Sequence, residues 1–220
     1  MGHWRTAMLA ALELDHVLIA VADLAAAGRE IESRHGLASI EGGRHPGWGT
    51  ANRIVPLGKA YLELVAVVDQ AEAAQSPFGS WVAQASPVRA KPLGWAVRTN
   101  DLDEVARRLG LVVAAGSRVT RGGQLLRWRL AGIEQAASEP SLPFFIEWEV
   151  GATLPGQNPS TRGAIDVRIA NLQLDGDVGH LEAWLGAHDL PITVRPGTPA
   201  LTGIILTAAA GEIILDGEGL

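Results

Sequence analysis

Short apolar runs, each bounded by Gly, Pro or Asp, recur along this chain at lengths that suit strands better than helices. Residues 14–21 read as a buried strand ended by Asp23. Asp23 is placed to cap a helix reaching about His35, with Leu24, Ala27 and Ile31 as its apolar stripe and Gly36 as its stop. Strands are expected near 37–41, 50–56 and 60–67, with Gly42-Gly43 read as a hairpin turn and Gly58 as the next break. Ser76-Pro77 opens a short helix whose apolar face is Phe78, Trp81, Val82 and Ala85, before breaks at Ser86-Pro87 and Lys91-Pro92. The order then repeats. A strand at 93–99 leads to a helix opened by Asp101 with Glu104 three residues on, and Gly110 closes it. Strands follow near 111–115, 124–130 and 143–150, with Gly122-Gly123 at a hairpin. Beyond a Gly/Pro-rich stretch, a strand at 165–170, a helix at 178–187 and strands near 191–195, 203–207 and 212–215 make a third, shorter set.

This order predicts an α+β protein built from repeated βαβββ units, with a third, partial unit. The expected divisions are a first unit at 12–68, a connector at 69–91, a second unit at 92–150, a linker at 151–163 and the partial unit at 164–217. Aligning Asp23 on Asp101 sets His16 opposite Gly94, and aligning the late strands sets Glu63 opposite Glu147. A carboxylate inside an apolar strand is costly unless it is paired or bound to a cation, so a duplicated one predicts a site. Gly211 to Asp216 repeats the offset of Gly58 to Glu63, which makes Asp216 a third echo of that slot.

Composition narrows the chemistry. With 220 residues, 47% of them hydrophobic, the chain can bury a proper core. A net charge of −6 and no basic run argue against a nucleic-acid partner. The absence of cysteine removes disulfides, thiolate metal sites and thiol nucleophiles, so any metal would be held by His, Asp or Glu. No apolar stretch reaches the length of a membrane helix and the first residues lack a signal core, so a cytoplasmic location is expected.

Paired βαβββ units with polar residues on their first and fourth strands resemble the vicinal oxygen chelate superfamily, which includes glyoxalase I, extradiol dioxygenases and bleomycin-resistance proteins. The string His45-Pro46-Gly47-Trp48-Gly49-Thr50-Ala51-Asn52-Arg53, followed by Tyr61-Leu62-Glu63-Leu64, more closely resembles its glyoxalase-like domain family. The resemblance spans about residues 12 to 150. It implies that each unit curls into half of an open barrel with helices outside, enclosing a site for a divalent metal such as Zn, Ni, Mn or Fe. Carried onto this sequence, it offers His16, Glu63 and Glu147 as ligands, with Gly94 in a fourth slot that leaves room for substrate or water. Glu147 or Glu63 would then shuttle a proton. Strand alternation would turn Trp148, Leu64 and Trp95 away from the cavity.

His45 and Trp48 are expected at the cavity mouth, His45 to orient or protonate a substrate or to serve as a structural hydrogen-bonder. Asn52 and Arg53 occupy successive strand positions, so only one can face inward; Arg53 suits an anionic substrate group or the surface. Three functions remain open. One is a metal-dependent lyase or isomerase acting on a small oxygenated molecule. The second is a metal-free, non-catalytic binding protein of the bleomycin-resistance kind. The third is a scaffold that has lost its metal and serves as an interaction domain. The resemblance allows a cavity within one chain or across a homodimer.

Overall fold

The computed structural model describes residues 12–85, 90–120, 122–157 and 167–216. The Ser86-Pro87 break, the strand start at Ile165 and the first residues of the chain lie outside them. The first unit is β1 (Glu13–Ala20), α1 (Leu24–His35), β2 (Ile40–His45), β3 (Thr50–Leu57) and β4 (Ala60–Val67). Helices α2 (Gln70–Ala73) and α3 (Pro77–Ala85) lead to the second, β5 (Lys91–Arg98), α4 (Leu102–Leu109), β6 (Val113–Val119), β7 (Leu125–Ala131), α5 (Ile133–Ser138) and β8 (Phe144–Trp148). A 3-10 turn, Pro155–Gln157, precedes β9 (Arg168–Gly176), α6 (Val178–Leu185), β10 (Ile192–Pro196), β11 (Ala200–Ala208) and β12 (Gly211–Asp216).

The helix ends follow from local chemistry. Asp23, Asp101 and Asp177 each accept a hydrogen bond from the backbone N–H three residues on, satisfying a donor that the helix leaves orphaned. Gly36 and Gly110 close α1 and α4 in the left-handed region, at φ 69° and 68°.

The first two units form one eight-stranded sheet in the order β2-β3-β4-β1-β5-β8-β7-β6. The order is symmetric about the antiparallel β1–β5 pair, and in each half the first strand lies parallel to the fourth. The sheet curls until β2 approaches β6, so it is nearly closed. At that seam a Cβ on Gly43 would come within 2.6 Å of the Val119 carbonyl oxygen, which only glycine avoids. Gly42-Gly43 is therefore part of a strand with a register shift, not the expected hairpin turn. The turn comes later, at 46–49, where Gly47 and Gly49 take positive φ.

The curled sheet has two apolar faces. One packs Trp95, Val97, Leu62, Leu64 and Phe145 against α1, α4 and the second sheet. The other packs Leu18, Ala96, Trp128, Phe144 and Ile146 with Phe78 and Trp81 of α3 and lines the interior. The second sheet has the order β10-β9-β11-β12. It has the element order of the earlier units but different pairing, since β9 lies between β10 and β11. Asp216 ends the edge strand β12, so it is not a third echo of Glu63.

Candidate functional site

Strand β1 brings the first polar residues inside. Its ladder with β5 shifts register between Leu14 and His16, leaving Asp15 at a bulge without an opposite partner. A bulge re-aims side chains, and here the Asp15 carboxylate comes beside the ring of its own neighbour. His16 Nδ1 lies 2.7 Å from Asp15 Oδ1. Asp15 Oδ2 accepts from Trp148 Nε1 and Arg98 Nη1, each at 3.0 Å. With three donors aimed at it, the carboxylate serves as acceptor. Nδ1 of His16 carries the hydrogen, and Nε2 faces Glu63 Oε2 at 3.5 Å. Tyr61 stacks on the imidazole with ring centroids 4.7 Å apart, and burial pushes its phenol well above the usual range.

Strands β2, β3 and β6 complete the polar floor. Asn52 Nδ2 donates to Glu63 Oε1 at 2.9 Å and reaches His45 Nε2 at 3.2 Å. Its Oδ1 accepts from Arg118 Nη1 at 3.0 Å. Glu63 can only accept when ionised and Arg118 can only donate, so these two neighbours fix which way the amide points. His45 then accepts at Nε2 and donates from Nδ1 to Thr50 Oγ1, 2.8 Å away. Burial drives the His45 pKa down to about 4, with Glu63 opposing and Arg118 adding to the fall, so this ring is neutral near pH 7. The chain Arg118–Asn52–Glu63–His16–Asp15 is thus one continuous network, and each of these residues is buried.

Aromatic rings wall the rest. A cavity of about 30 Å³ is lined by the polar floor together with Trp48, Phe78, Trp128, Phe144 and Trp148, among others. That volume holds about two waters. Trp128 and Trp148, with centroids 5.4 Å apart, also line an outer pocket of about 470 Å³. These two indoles separate the inner cavity from the outer pocket.

Of the residues expected in the site, His16, Glu63, His45, Trp48 and Asn52 are brought together. Arg53 is not: it turns to the opposite face of β3 and donates to Ser39 Oγ and the Ser39 carbonyl. The room expected beside Gly94 is filled by Trp81, whose ring would lie 2.5 Å from an added Cβ. Glu147 faces outward, where it pairs with Arg129 and accepts from the Leu102 N–H at the start of α4. Trp148 points inward instead, contrary to expectation. The reason is register. Leu18, two residues after His16, pairs with Glu63, and Ala96, two residues after Gly94, pairs with Phe144. Phe144, not Glu147, occupies the slot related to Glu63. Arg118 and Asp15 went unassigned in the sequence; adjacency to His16 would point Asp15 to the other face but for the bulge.

Residues 14–179, about three quarters of the chain, match a family model described as a glyoxalase-like domain. The chain belongs to the glyoxalase-like domain family. That family lies within the vicinal oxygen chelate superfamily. No curated protein matches the chain in sequence. Among solved structures, a hypothetical protein from Staphylococcus aureus is 17% identical, with 90% of this chain and 92% of that one covered and a TM-score of 0.70. This likeness shows the shared fold. A methylmalonyl-CoA epimerase from Mycobacterium tuberculosis is 20% identical over 63% of this chain and 88% of its own, with a TM-score of 0.43.

Members of the superfamily commonly bind divalent metals. The donor set of this glyoxalase-like chain does not fit such a centre. Its four related inward slots carry His16, Glu63, Gly94 and Phe144, so the second half supplies no ligand and Trp81 fills the space beside Gly94. His45, whose Nε2 lies 3.8 Å from Glu63 Oε1, has that nitrogen engaged by Asn52. Among the described residues no group of three or more His, Cys, Asp or Glu side chains is arranged to hold a metal ion. Nor is any described helix long and apolar enough to cross a membrane.

Proposed function

We propose that this glyoxalase-like protein binds a small oxygenated molecule and moves a proton on it, as an isomerase or lyase does, using Glu63 and His16. The observation that carries the reading is the pair itself: Glu63 Oε2 faces His16 Nε2 at 3.5 Å in a buried, aromatic-walled cavity. Asn52 holds the other Glu63 oxygen, so Oε2 is the one left to work. His16 donates Nδ1–H to Asp15, and when it takes up a second proton it presents Nε2–H to a ligand oxygen. Glu63 takes the proton from the carbon beside a carbonyl, and His16 supports the negative charge that develops on that oxygen. Return of the proton to carbon completes an isomerisation; loss of a neighbouring leaving group completes an elimination. The inner cavity suits only the reacting end of a ligand, and the outer pocket behind Trp128 and Trp148 suits the remainder.

Wash-in of deuterium tests the proton step. Short-chain 2-oxo and 2-hydroxy compounds are incubated with protein in D2O after chelator treatment and followed by proton NMR. Exchange at the carbon beside the carbonyl is expected from the unaltered protein and absent from Glu63→Gln. The aromatic walls favour a second reading, a binding protein without turnover. Ligand-induced tryptophan fluorescence change without any exchange would select it, and a ligand panel that gives neither signal would overturn both.

A further inference from the structure

Among the described residues Arg118 is the only arginine or lysine lining the inner cavity, and it is only 3% exposed. Burying a guanidinium is costly unless it is paired. Among the described residues this one bonds to a single acceptor, the neutral Asn52 amide oxygen, and no carboxylate lies within ion-pair distance. The half-buried Arg98, which also joins the network, differs in this respect, since it bonds directly to Asp15 and Glu13. Among the described residues, one of the five N–H donors in the Arg118 fork has an acceptor. Glu63 balances its charge only through the intervening amide.

The chain is built to bring this cation inside. Arg118 comes from β6 and crosses the seam beside β2, where Gly42 makes way. A Cβ on Gly42 would sit 2.4 Å from Arg118 Nη1 and 2.0 Å from Asn52 Oδ1, so any side chain there would displace the arginine from the amide. The neighbouring His45, which lacks a charge near pH 7, adds no second cation and does not neutralise the first.

We infer that Arg118 is the anchor for a carboxylate on the ligand, so the substrate class is a small oxygenated acid, not its neutral counterpart. The inference rests on the reading given under Proposed function and adds to it the charge of the ligand. A carboxylate at Arg118 would accept a two-point hydrogen bond. The carbon bearing the mobile proton would then lie toward Glu63, the next member of the network.

The experiment compares short-chain 2-oxo and 2-hydroxy acids with their primary amides, using tryptophan fluorescence for affinity and deuterium wash-in for proton transfer. The unaltered protein should bind the acid about tenfold or more tightly than its amide. Arg118→Gln should bring the acid down to the affinity of the amide, and Arg118→Lys should restore part of the preference. Arg107→Gln, which removes an exposed arginine paired with Glu104 on α4, should leave the preference intact. Equal affinity for acid and amide in the unaltered protein overturns the inference whatever the variants do, as does a preference that survives in Arg118→Gln. Deuterium wash-in that depends on Glu63 but treats acid and amide alike would retain the proton-transfer reading and remove only the anchor. Binding of neither would overturn both.

Discussion

At the scale of single residues, the buried polar floor makes stability depend on pH through His45. Its folded-state pKa is about 4 against an ordinary 6.5. Between those values the unfolded chain binds more protons than the folded one. The stability tied to this group is therefore complete above about pH 6.5 and is lost as the pH falls toward 4. The gap corresponds to roughly 3 kcal/mol. Urea midpoints measured across that range should fall with pH in the unaltered protein and fall less steeply in His45→Gln. Parallel slopes would assign the loss to other groups. Gly94 gives a second residue-level prediction. The space a side chain would need is held by Trp81, itself packed edge-on against Phe78 and Phe144. Gly94→Ala should cost about 1–3 kcal/mol by overpacking, and much less in a Trp81→Leu background. An equal cost in both backgrounds would mean that the indole is not the obstacle.

At the scale of elements, what was legible in the sequence was where strands and helices lie, and what was not was the face each strand presents. The apolar runs of β3 and β4 and the Asp and Gly caps of α1 and α4 are local signals, and the structure places them within a residue or so of their expected bounds. The inward set of β8 depends on its pairing with β5, a distant strand, and a slip of one residue exchanges every side chain between faces. Matching Leu62-Glu63-Leu64 to Ile146-Glu147-Trp148 by letter misses the pairing by three residues, an odd number, so the wrong face turns inward. The bulge that carries Asp15 and the seam that admits Arg118 are likewise set by partners remote in sequence. Helix α5 is not legible in the sequence because it is six residues long and follows Gly132, a residue that normally marks a break. The register makes a prediction that separates the two glutamates. Glu147→Gln should cost less than about 1 kcal/mol, because its ion pair with Arg129 is partly exposed, and should leave deuterium exchange, which reads the inner cavity, in place. A loss of exchange as complete as that of Glu63→Gln would contradict the outward placement.

At the scale of the whole molecule, the second sheet shares a core with the first. Leu172, Leu174, Ile204, Leu206 and Leu215 are fully buried in the same cluster as Trp95, Val97 and Phe145. Helix α6 adds polar ties. Arg108 of α4 donates to the carbonyls of Ala183 and Trp184, and Trp184 Nε1 donates to the Pro143 carbonyl at 2.9 Å. Each buried aliphatic side chain contributes about 1.5–3 kcal/mol, and a domain is stable by about 5–15 kcal/mol in total. Losing the second sheet would thus remove as much as the fold has to spare and would strip the outer face of β5. Removal should therefore unsettle the cavity, although no residue of β9 to β12 lines it. The consequence is a single cooperative transition. Among the described tryptophans only Trp184 lies in the second sheet and its helix, so tryptophan fluorescence reports mainly on the first two units while far-UV circular dichroism reports on all three. The two probes should give coincident urea curves, and Leu174→Ala should shift both midpoints down together by an amount corresponding to about 2–5 kcal/mol. If the dichroism curve shifted alone, the second sheet would be an independent unit, and the cavity could be tested without it.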